Sequence, residues 1–195
     1  MYKRQITGLW LQNGGTALNS GAISLSGNGG NVYGVFCDAG TGGNVVNAGS
    51  IAVTNVGGSD TDVATGILLI QGGTASNTGS IMACNRSNAY GISAYGTAEI
   101  VNAGRITAVS EEGKAYGIQM NAGTVSNFGV IDAIGQSGHE LSLDGASKVT
   151  VRTWAVELRD FTDAASRPFF VSDKSELDFK DGTLILRPGA AGEFA

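Results

Sequence analysis

The amino-acid sequence predicts an all-β fold: a right-handed parallel β-helix, a solenoid with three short strands in each coil of about 25 residues. The first observation is the motif Asn-x-Gly-x-Ile, which occurs five times at spacings of 25 to 30 residues. The second is a Gly-aliphatic motif that alternates with it. The third is composition, because 31 glycines and only 15% charged residues do not suit long helices, whose solvated faces need Lys and Glu.

Each repeat contains three short segments in which apolar residues recur at every second position. This period of two excludes a helical solenoid, and each repeat is too short for the four strands of a propeller blade. The Asn-x-Gly-x-Ile motif begins at Asn19, Asn47, Asn77, Asn102 and Asn127, and the Gly-aliphatic motif begins at Gly8, Gly34, Gly66, Gly91 and Gly117.

Strand alternation predicts which side chains form the core. In the second coil, Ile51, Val53 and Val45 should point inward, with equivalent residues stacked in every other coil. The five asparagines should turn inward at a corner and form a ladder of amide hydrogen bonds, each contributing about 1 kcal/mol. This structural role accounts for the motif without a catalytic function.

The regular coils are predicted to occupy residues 1–138, with less regular coils or a cap of the same solenoid at 139–195. Glycine becomes rarer and charged residues more frequent in the second part, which also contains Trp154 and a predicted loop near 161–168. Bulky apolar residues suit the end of a solenoid, where core and strand edges are otherwise exposed.

The charge and the hydropathy of the sequence argue against nucleic acid as a partner and against a membrane-spanning helix. The net charge of −5 and the pI near 4.7 argue against nucleic acid, which requires clustered Lys and Arg. No apolar run approaches the ~18 residues of a membrane-spanning helix.

Cys37 and Cys84 are expected on different strands and unpaired. Repeat-like sequence begins directly after the first four residues, so we expect a mature chain or an excised fragment.

One corner of the coil varies in length, between the Asn-x-Gly-x-Ile strand and the Gly-aliphatic strand. Its longest version runs over residues 55–64. Insertions on one edge of a solenoid often form its binding face. The candidate binding residues on or beside this edge are Asp60, Asp62, Arg86, Glu111, Glu112, Tyr33, Tyr90 and Tyr116. For the tyrosines, packing at the corner is the preferred interpretation, and for Asp60 and Asp62 a solvated loop is preferred over a calcium turn.

Trp10, Phe36 and Leu68 occupy equivalent outward positions in successive coils. Contiguous exposed apolar residues mark an interface or a surface covered by another segment. We therefore expect contact with an N-terminal element, with another copy of the chain, or with a loop of the same chain.

The motifs resemble a known family. Asn-x-Gly-x-Ile alternating with Ala-Tyr-Gly-Ile, at 89–92 and 115–118, resembles the passenger domains of bacterial autotransporters, as does the late segment 175–179 followed by Gly182-Thr183-Leu184. The resemblance implies export to the surface of a Gram-negative cell and a β-helical stalk that adheres or presents. Members also carry an N-terminal signal and a C-terminal membrane barrel, which implies that this chain is an excised piece.

The sequence thus predicts an extracellular structural or adhesion module without cofactor or metal. Its expected partner is a host-surface or extracellular glycan or protein, or another copy of itself. The alternative is a carbohydrate-active β-helix similar to a polysaccharide lyase or glycosidase. Its candidate residues would be Asp60, Asp62, Glu111, Glu112 and His139. His139 is the single histidine and is expected to be an ordinary surface residue.

Overall fold

A computed structural model describes residues 5–38, 42–57, 59–143, 148–158, 169–171, 174–179 and 182–188. In this part of the chain all regular structure is β-strand, and parallel strands stack into a β-solenoid of about six turns, consistent with the predicted right-handed β-helix. The strands are β1 (Gln5–Gln12), β2 (Thr16–Asn19), β3 (Ala22–Gly27), β4 (Asn31–Asp38), β5 (Gly43–Asn47), β6 (Ser50–Asn55), β7 (Val63–Leu69), β8 (Gly73–Asn77), β9 (Ser80–Asn85), β10 (Asn88–Asn102), β11 (Arg105–Ser110), β12 (Lys114–Asn127), β13 (Val130–Ile134), β14 (Ser137–Leu143), β15 (Lys148–Leu158), β16 (Phe169–Val171), β17 (Glu176–Asp178) and β18 (Thr183–Pro188).

The strands form three faces. The first face runs β1-β4-β7-β10-β12-β14-β16 and contains the Gly-aliphatic motifs. The second runs β2-β5-β8 and continues through the later halves of β10 and β12 into β15. The third runs β3-β6-β9-β11-β13. All these pairings are parallel, and their register aligns each repeat with the next, so equivalent residues lie directly above one another.

The core consists of the inward-facing aliphatic side chains of all three faces. Ile51, Val53, Ile67, Leu69 and Val45 are buried, as strand alternation predicted. Neighbouring coils are about 4.8 Å apart, so each aliphatic side chain contacts its equivalents above and below. Burial of each such side chain stabilises the fold by about 1.5–3 kcal/mol.

The predicted asparagine ladder is continuous along the solenoid. The Nδ2 of Asn19, Asn47, Asn77 and Asn102 each donates to the Oδ1 of the next asparagine, ending at Asn127, and each of the four distances is 2.7 Å. The Nδ2 of the first three also donates to a backbone carbonyl of the following coil. Because these amide hydrogens have acceptors, the side chains can be buried without the cost of an unpaired polar group.

The ladder ends at Trp154, which pairs in register with Asn127 on the second face. The Trp154 side chain is buried, its ring centroid lies 5.3 Å from that of Phe169, and its Nε1 donates to Glu140 Oε2 at 2.8 Å. Asn127 Nδ2 donates to the carbonyl oxygen of Ala155 instead of to another amide. An indole therefore takes the position of the sixth asparagine.

The predicted change of character near residue 138 falls within β14. This strand pairs with β12 in the same register as the earlier coils, so the first face continues beyond that point. On the second face, β15 pairs with β12 through a register shift between Val125 and Ser126. The loop predicted near 161–168 lies outside the described residues.

Glycine is required two residues after four of the five asparagines of the ladder. A β-carbon on Gly79 would overlap the carbonyl oxygen of Gly49, and Gly49, Gly104 and Gly129 meet the glycine of the preceding coil in the same way. Gly21 occupies the first position of this column, and a β-carbon there would have no atom within 4 Å. The close approach of successive coils, rather than the local turn, therefore demands glycine here.

Replacing one asparagine should weaken the whole stack. Asn77→Ala removes the donor to Asn102 and the acceptor of Asn47, so we expect a loss of about 2–4 kcal/mol in the free energy of unfolding, measured by chemical denaturation. Asn44→Ala is the matched control because Asn44 is exposed, and its effect should stay within about 0.5 kcal/mol. Equal effects of the two substitutions would contradict a structural role for the ladder.

The glycine column offers a second test of coil stacking. Gly79→Ala should destabilise the chain by at least about 3 kcal/mol because the coils must move apart to admit the methyl group. Gly21→Ala, the same change in the same column, should alter the free energy of unfolding by less than about 1 kcal/mol. Thermal and chemical unfolding at micromolar protein concentration compare the two variants, and similar destabilisation by both would show that local backbone conformation is limiting instead.

Candidate binding edge

The variable corner joins the third face to the first face, and its loops form one edge of the solenoid. The loops lie between β3 and β4, β6 and β7, β9 and β10, β11 and β12, and β13 and β14. Parallel stacking places these corners one above another, because each is flanked by strands that pair in register. Asp60, Arg86, Glu111 and Glu112, which are distant in sequence, are therefore brought to one edge.

Two depressions lie along this edge. The larger is a groove of about 460 Å³ lined by Asp60, Ser87, Asn88, Glu112, Gly113 and Lys114. The smaller, of about 100 Å³, is lined by Thr54, Asn55, Val56, Cys84, Asn85, Arg86, Val109 and Glu111. Four of the predicted binding residues thus line the two depressions, and five of the six residues that line the groove are polar or charged.

An ion pair links the loops of two successive coils at the groove. Arg86 Nη2 lies 2.9 Å from Glu112 Oε1, and both side chains are about half exposed. The hydrogen bond that Arg86 donates to Glu112, together with the negative charge of Glu112, raises the pKa of Arg86. Lys114 is a second cation at this edge, and its Nζ lies 5.9 Å from the centre of the Tyr116 ring.

Asn88 holds the floor of the groove together. Its Nδ2 donates to the backbone carbonyl of Asp60 at 3.1 Å, and its Oδ1 accepts from the backbone N–H of Lys114 at 3.1 Å. The Asn88 side chain therefore connects the loop between β6 and β7, in the preceding coil, to the start of β12, in the following coil. These contacts fix three successive coils at the groove relative to one another.

Two buried asparagines that sequence analysis did not single out anchor the same loops. Asn55 accepts from the N–H of Gly29 at 3.0 Å and donates to the carbonyl of Gly30 at 2.8 Å. Asn85 donates to the carbonyls of Asp62 and Asn88, both at 2.8 Å. The alternation that places Ile51 and Val53 inward also places residue 55 inward, and this signal could have identified both residues.

The Asp62 carboxylate holds its own loop together. Its side chain is buried, and its carboxylate accepts from the N–H of Ser59 at 2.9 Å and from the Ser59 hydroxyl at 3.3 Å. These contacts close the longest loop on itself and leave little of the carboxylate accessible, and the binding role of Asp62 stays a prediction. No group of three or more His, Cys, Asp or Glu side chains suited to a metal ion occurs in the part of the chain that the structure describes.

The tyrosines pack at the corner, as the preferred interpretation predicted for them. Tyr33 and Tyr116 are buried and Tyr90 is half buried. The Tyr33 ring stacks on Phe36 at 5.2 Å between centroids, and the Tyr90 and Tyr116 rings lie 5.7 Å apart. Burial raises the pKa of Tyr33. Tyr33 and Tyr116 therefore leave little ring surface to contact a ligand, and the binding role of the tyrosines stays a prediction.

His139 continues this aromatic column and is buried, so its expected place at the surface is wrong. Its ring lies 5.8 Å from that of Tyr116 and stacks at 5.3 Å on Phe170. Its Nε2 is 3.2 Å from the hydroxyl of Ser137. The imidazole is thus packed between rings on the first face and does not line the groove.

The predicted apolar stripe is exposed at one end only. Trp10 is 58% exposed, Phe36 is half buried, and Leu68 is buried. In the next coils the column continues with Ser93 and Gln119, whose side chains are buried and hydrogen-bonded to each other at 3.0 Å. Leu68 therefore offers little surface to a partner, Trp10 is the most exposed member of the stripe, and the interface role of the three residues stays a prediction.

No known protein family, curated protein or solved structure matches this chain. Across the residues that the structure describes, no helix has the length and apolar character needed to cross a bilayer. Function is therefore inferred from the geometry of the chain itself.

The two thiols provide a probe of the folded state. Both cysteines are free. Burial raises the pKa of Cys37 to about 11. Burial also raises the pKa of Cys84, which lines the smaller depression. Since only the thiolate is nucleophilic, Cys37 should react about a hundredfold or more slowly with iodoacetamide at pH 8 than an unperturbed thiol. Its rate should rise with pH up to its pKa. Mass spectrometry follows the labelling of both cysteines, and in denaturant the two labelling rates should become equal. Fast labelling of Cys37 in the folded chain would contradict its burial.

Proposed function

We propose that this chain is a surface-exposed adhesion module of an extracellular, autotransporter-type protein. In this proposal the stacked coils provide a rigid stalk and the loop edge binds the ligand. The observation that carries it is the groove of about 460 Å³, which loops from separate coils form on a single edge. Surface loops held on a rigid scaffold are a common way to build a binding site.

The chemistry of the groove suits a hydroxyl-rich ligand such as an extracellular glycan. The carboxylates of Asp60 and Glu112 accept hydrogen bonds, Lys114 donates them, and Ser87 does both. Sugar hydroxyls also donate and accept, so they can satisfy walls of this mixed character. The acidic residues at the edge and the net charge of −5 make a nucleic acid an unsuitable partner.

A carbohydrate-active enzyme remains the second candidate because Asp60 and Glu112 line the same groove. Hydrolysis of a glycosidic bond generally uses two carboxyl groups, one as acid and one as base or nucleophile. Glu112 is held in an ion pair with Arg86, so its carboxylate already has a partner at the groove wall. Asp62 and His139 are buried in other contacts, so binding without cleavage is the better-supported function.

The test is an array of glycans and extracellular-matrix proteins probed with the purified chain, with product analysis on any polysaccharide that binds. Glu112→Gln and Lys114→Ala should each weaken binding at least about tenfold, since each removes a charged group from the groove wall. Glu99→Gln is the matched control, because Glu99 is exposed on the second face.

Three results are informative. Binding that depends on Glu112 and Lys114 but not on Glu99 supports the adhesion module. Cleavage that is lost in Glu112→Gln supports the enzyme instead. Binding that is unchanged in both groove variants would contradict a ligand site at this edge.

A further inference from the structure

The smaller depression at the loop edge differs in chemistry from the groove beside it. Cys84 and Val109 line it, and they pair in register on successive coils of the third face. Both side chains are half buried, and Val56, which is 66% exposed, forms another part of the wall. None of the residues that line the groove is aliphatic. The smaller depression therefore offers an apolar wall that the groove lacks.

Charged groups lie beside this apolar wall. Arg86 and Glu111 both line the smaller depression. A guanidinium group has five N–H donors, and the hydrogen bond from Arg86 to Glu112 uses one of them. Glu111 is exposed, and its carboxylate accepts hydrogen bonds. The depression thus combines an apolar wall with a hydrogen-bond donor and a hydrogen-bond acceptor.

The two depressions adjoin each other. Arg86 lines the smaller depression and the next residue, Ser87, lines the groove. Glu111 and Glu112 are divided in the same way. The ion pair of Arg86 with Glu112 therefore lies between the two depressions. Consecutive Cα atoms are about 3.8 Å apart, so one ligand can occupy the groove and the smaller depression together.

The volumes of the two depressions decide which part of a glycan each can hold. A cavity of about 150 Å³ holds a benzene molecule. A sugar ring with its hydroxyl groups is larger than benzene, whereas an acetyl group is smaller. The smaller depression, of about 100 Å³, therefore suits an acetyl group and not a sugar ring. The groove, of about 460 Å³, has room for the ring.

We propose that the ligand is a glycan that contains an N-acetylated amino sugar, with its ring in the groove and its acetamido group in the smaller depression. This inference rests on the proposed function and names the class of glycan. The methyl group packs against Cys84 and Val109. The amide N–H donates to the carboxylate of Glu111, and the amide carbonyl accepts from the guanidinium of Arg86. Each part of the acetamido group then has a partner of matching chemistry.

Other substituents match the smaller depression less completely. A hydroxyl group leaves the apolar wall uncovered, and so does a free amine, although its charge suits Glu111. An O-acetyl group has the methyl and the carbonyl but no N–H for the Glu111 carboxylate. A long acyl chain exceeds the space of about 100 Å³. The acetamido group alone among these satisfies the wall, the donor and the acceptor.

The experiment compares glycans in pairs that differ only in whether a ring carries an acetamido group or a hydroxyl group, such as chitin and cellulose oligomers. The glycan array identifies the skeleton that binds, and isothermal titration calorimetry measures the dissociation constants of its two forms. We expect the acetamido form to bind at least about tenfold more tightly, because it buries a methyl group and makes additional hydrogen bonds.

Two variants test the position of the acetamido group. Val109→Trp fills the depression, so it should weaken binding of the acetamido form at least about tenfold and change that of the hydroxyl form by less than about twofold. Glu111→Ala, at an exposed side chain, removes the acceptor and should weaken the acetamido form at least about fivefold. Circular dichroism establishes that each variant is folded.

Ile134→Trp is the matched control for Val109→Trp. Ile134 pairs in register with Val109 in the next coil, is 58% exposed and does not line the depression. The control should leave both dissociation constants unchanged.

The outcomes separate this inference from the proposed function. Equal binding of the two forms, or a preference for the acetamido form that neither Val109→Trp nor Glu111→Ala reduces, would overturn this inference and leave the groove as a glycan site. A preference that Ile134→Trp abolishes equally would also overturn it. Absence of binding to every glycan on the array would overturn the proposed function and this inference together.

Discussion

The structure depends on one constraint, the stacking of each coil on the previous one at the spacing of paired β-strands. At about 4.8 Å there is room for only a narrow choice of residues where the chain turns sharply. The corner between the second and third faces therefore repeats a glycine, whose missing β-carbon admits the carbonyl of the neighbouring coil. Beside it an asparagine bonds to its equivalents in both directions. Sterics and hydrogen bonding at this corner together set the register of the three faces.

Because stacking constrains the core positions and this corner, variation in length is concentrated where the third face meets the first. The loops there are nevertheless well anchored. Asn55 and Asn85 bond to loop carbonyls from inside, and Asn88 bonds on both sides at the surface. The result is a set of variable loops with supported backbones, which is the combination that a binding groove on a stalk requires.

The outermost coils of a solenoid need other groups to cover their core, because each lacks one of the two neighbouring coils that would bury it. Within the described residues, the first and last coils differ in how their core is covered. Toward the C-terminus the asparagine column is replaced by Trp154, whose indole is buried and hydrogen-bonded to Glu140. Toward the N-terminus, Leu9, Ile23 and Leu25 of the first described coil are partly exposed.

The sequence alone determined the fold class, the inward residues of each strand and the asparagine ladder. These features follow from a period of two within strands and a fixed motif between coils, so local sequence is sufficient to predict them. The tertiary structure decided which side chains at the bends are buried. Asp62 closes its own loop and His139 packs against Phe170, because side-chain direction at a bend is set by contacts with adjacent coils rather than by alternation. It also decided which loop residues meet across coils to form the groove, since those distances depend on loop conformations that no periodic pattern encodes.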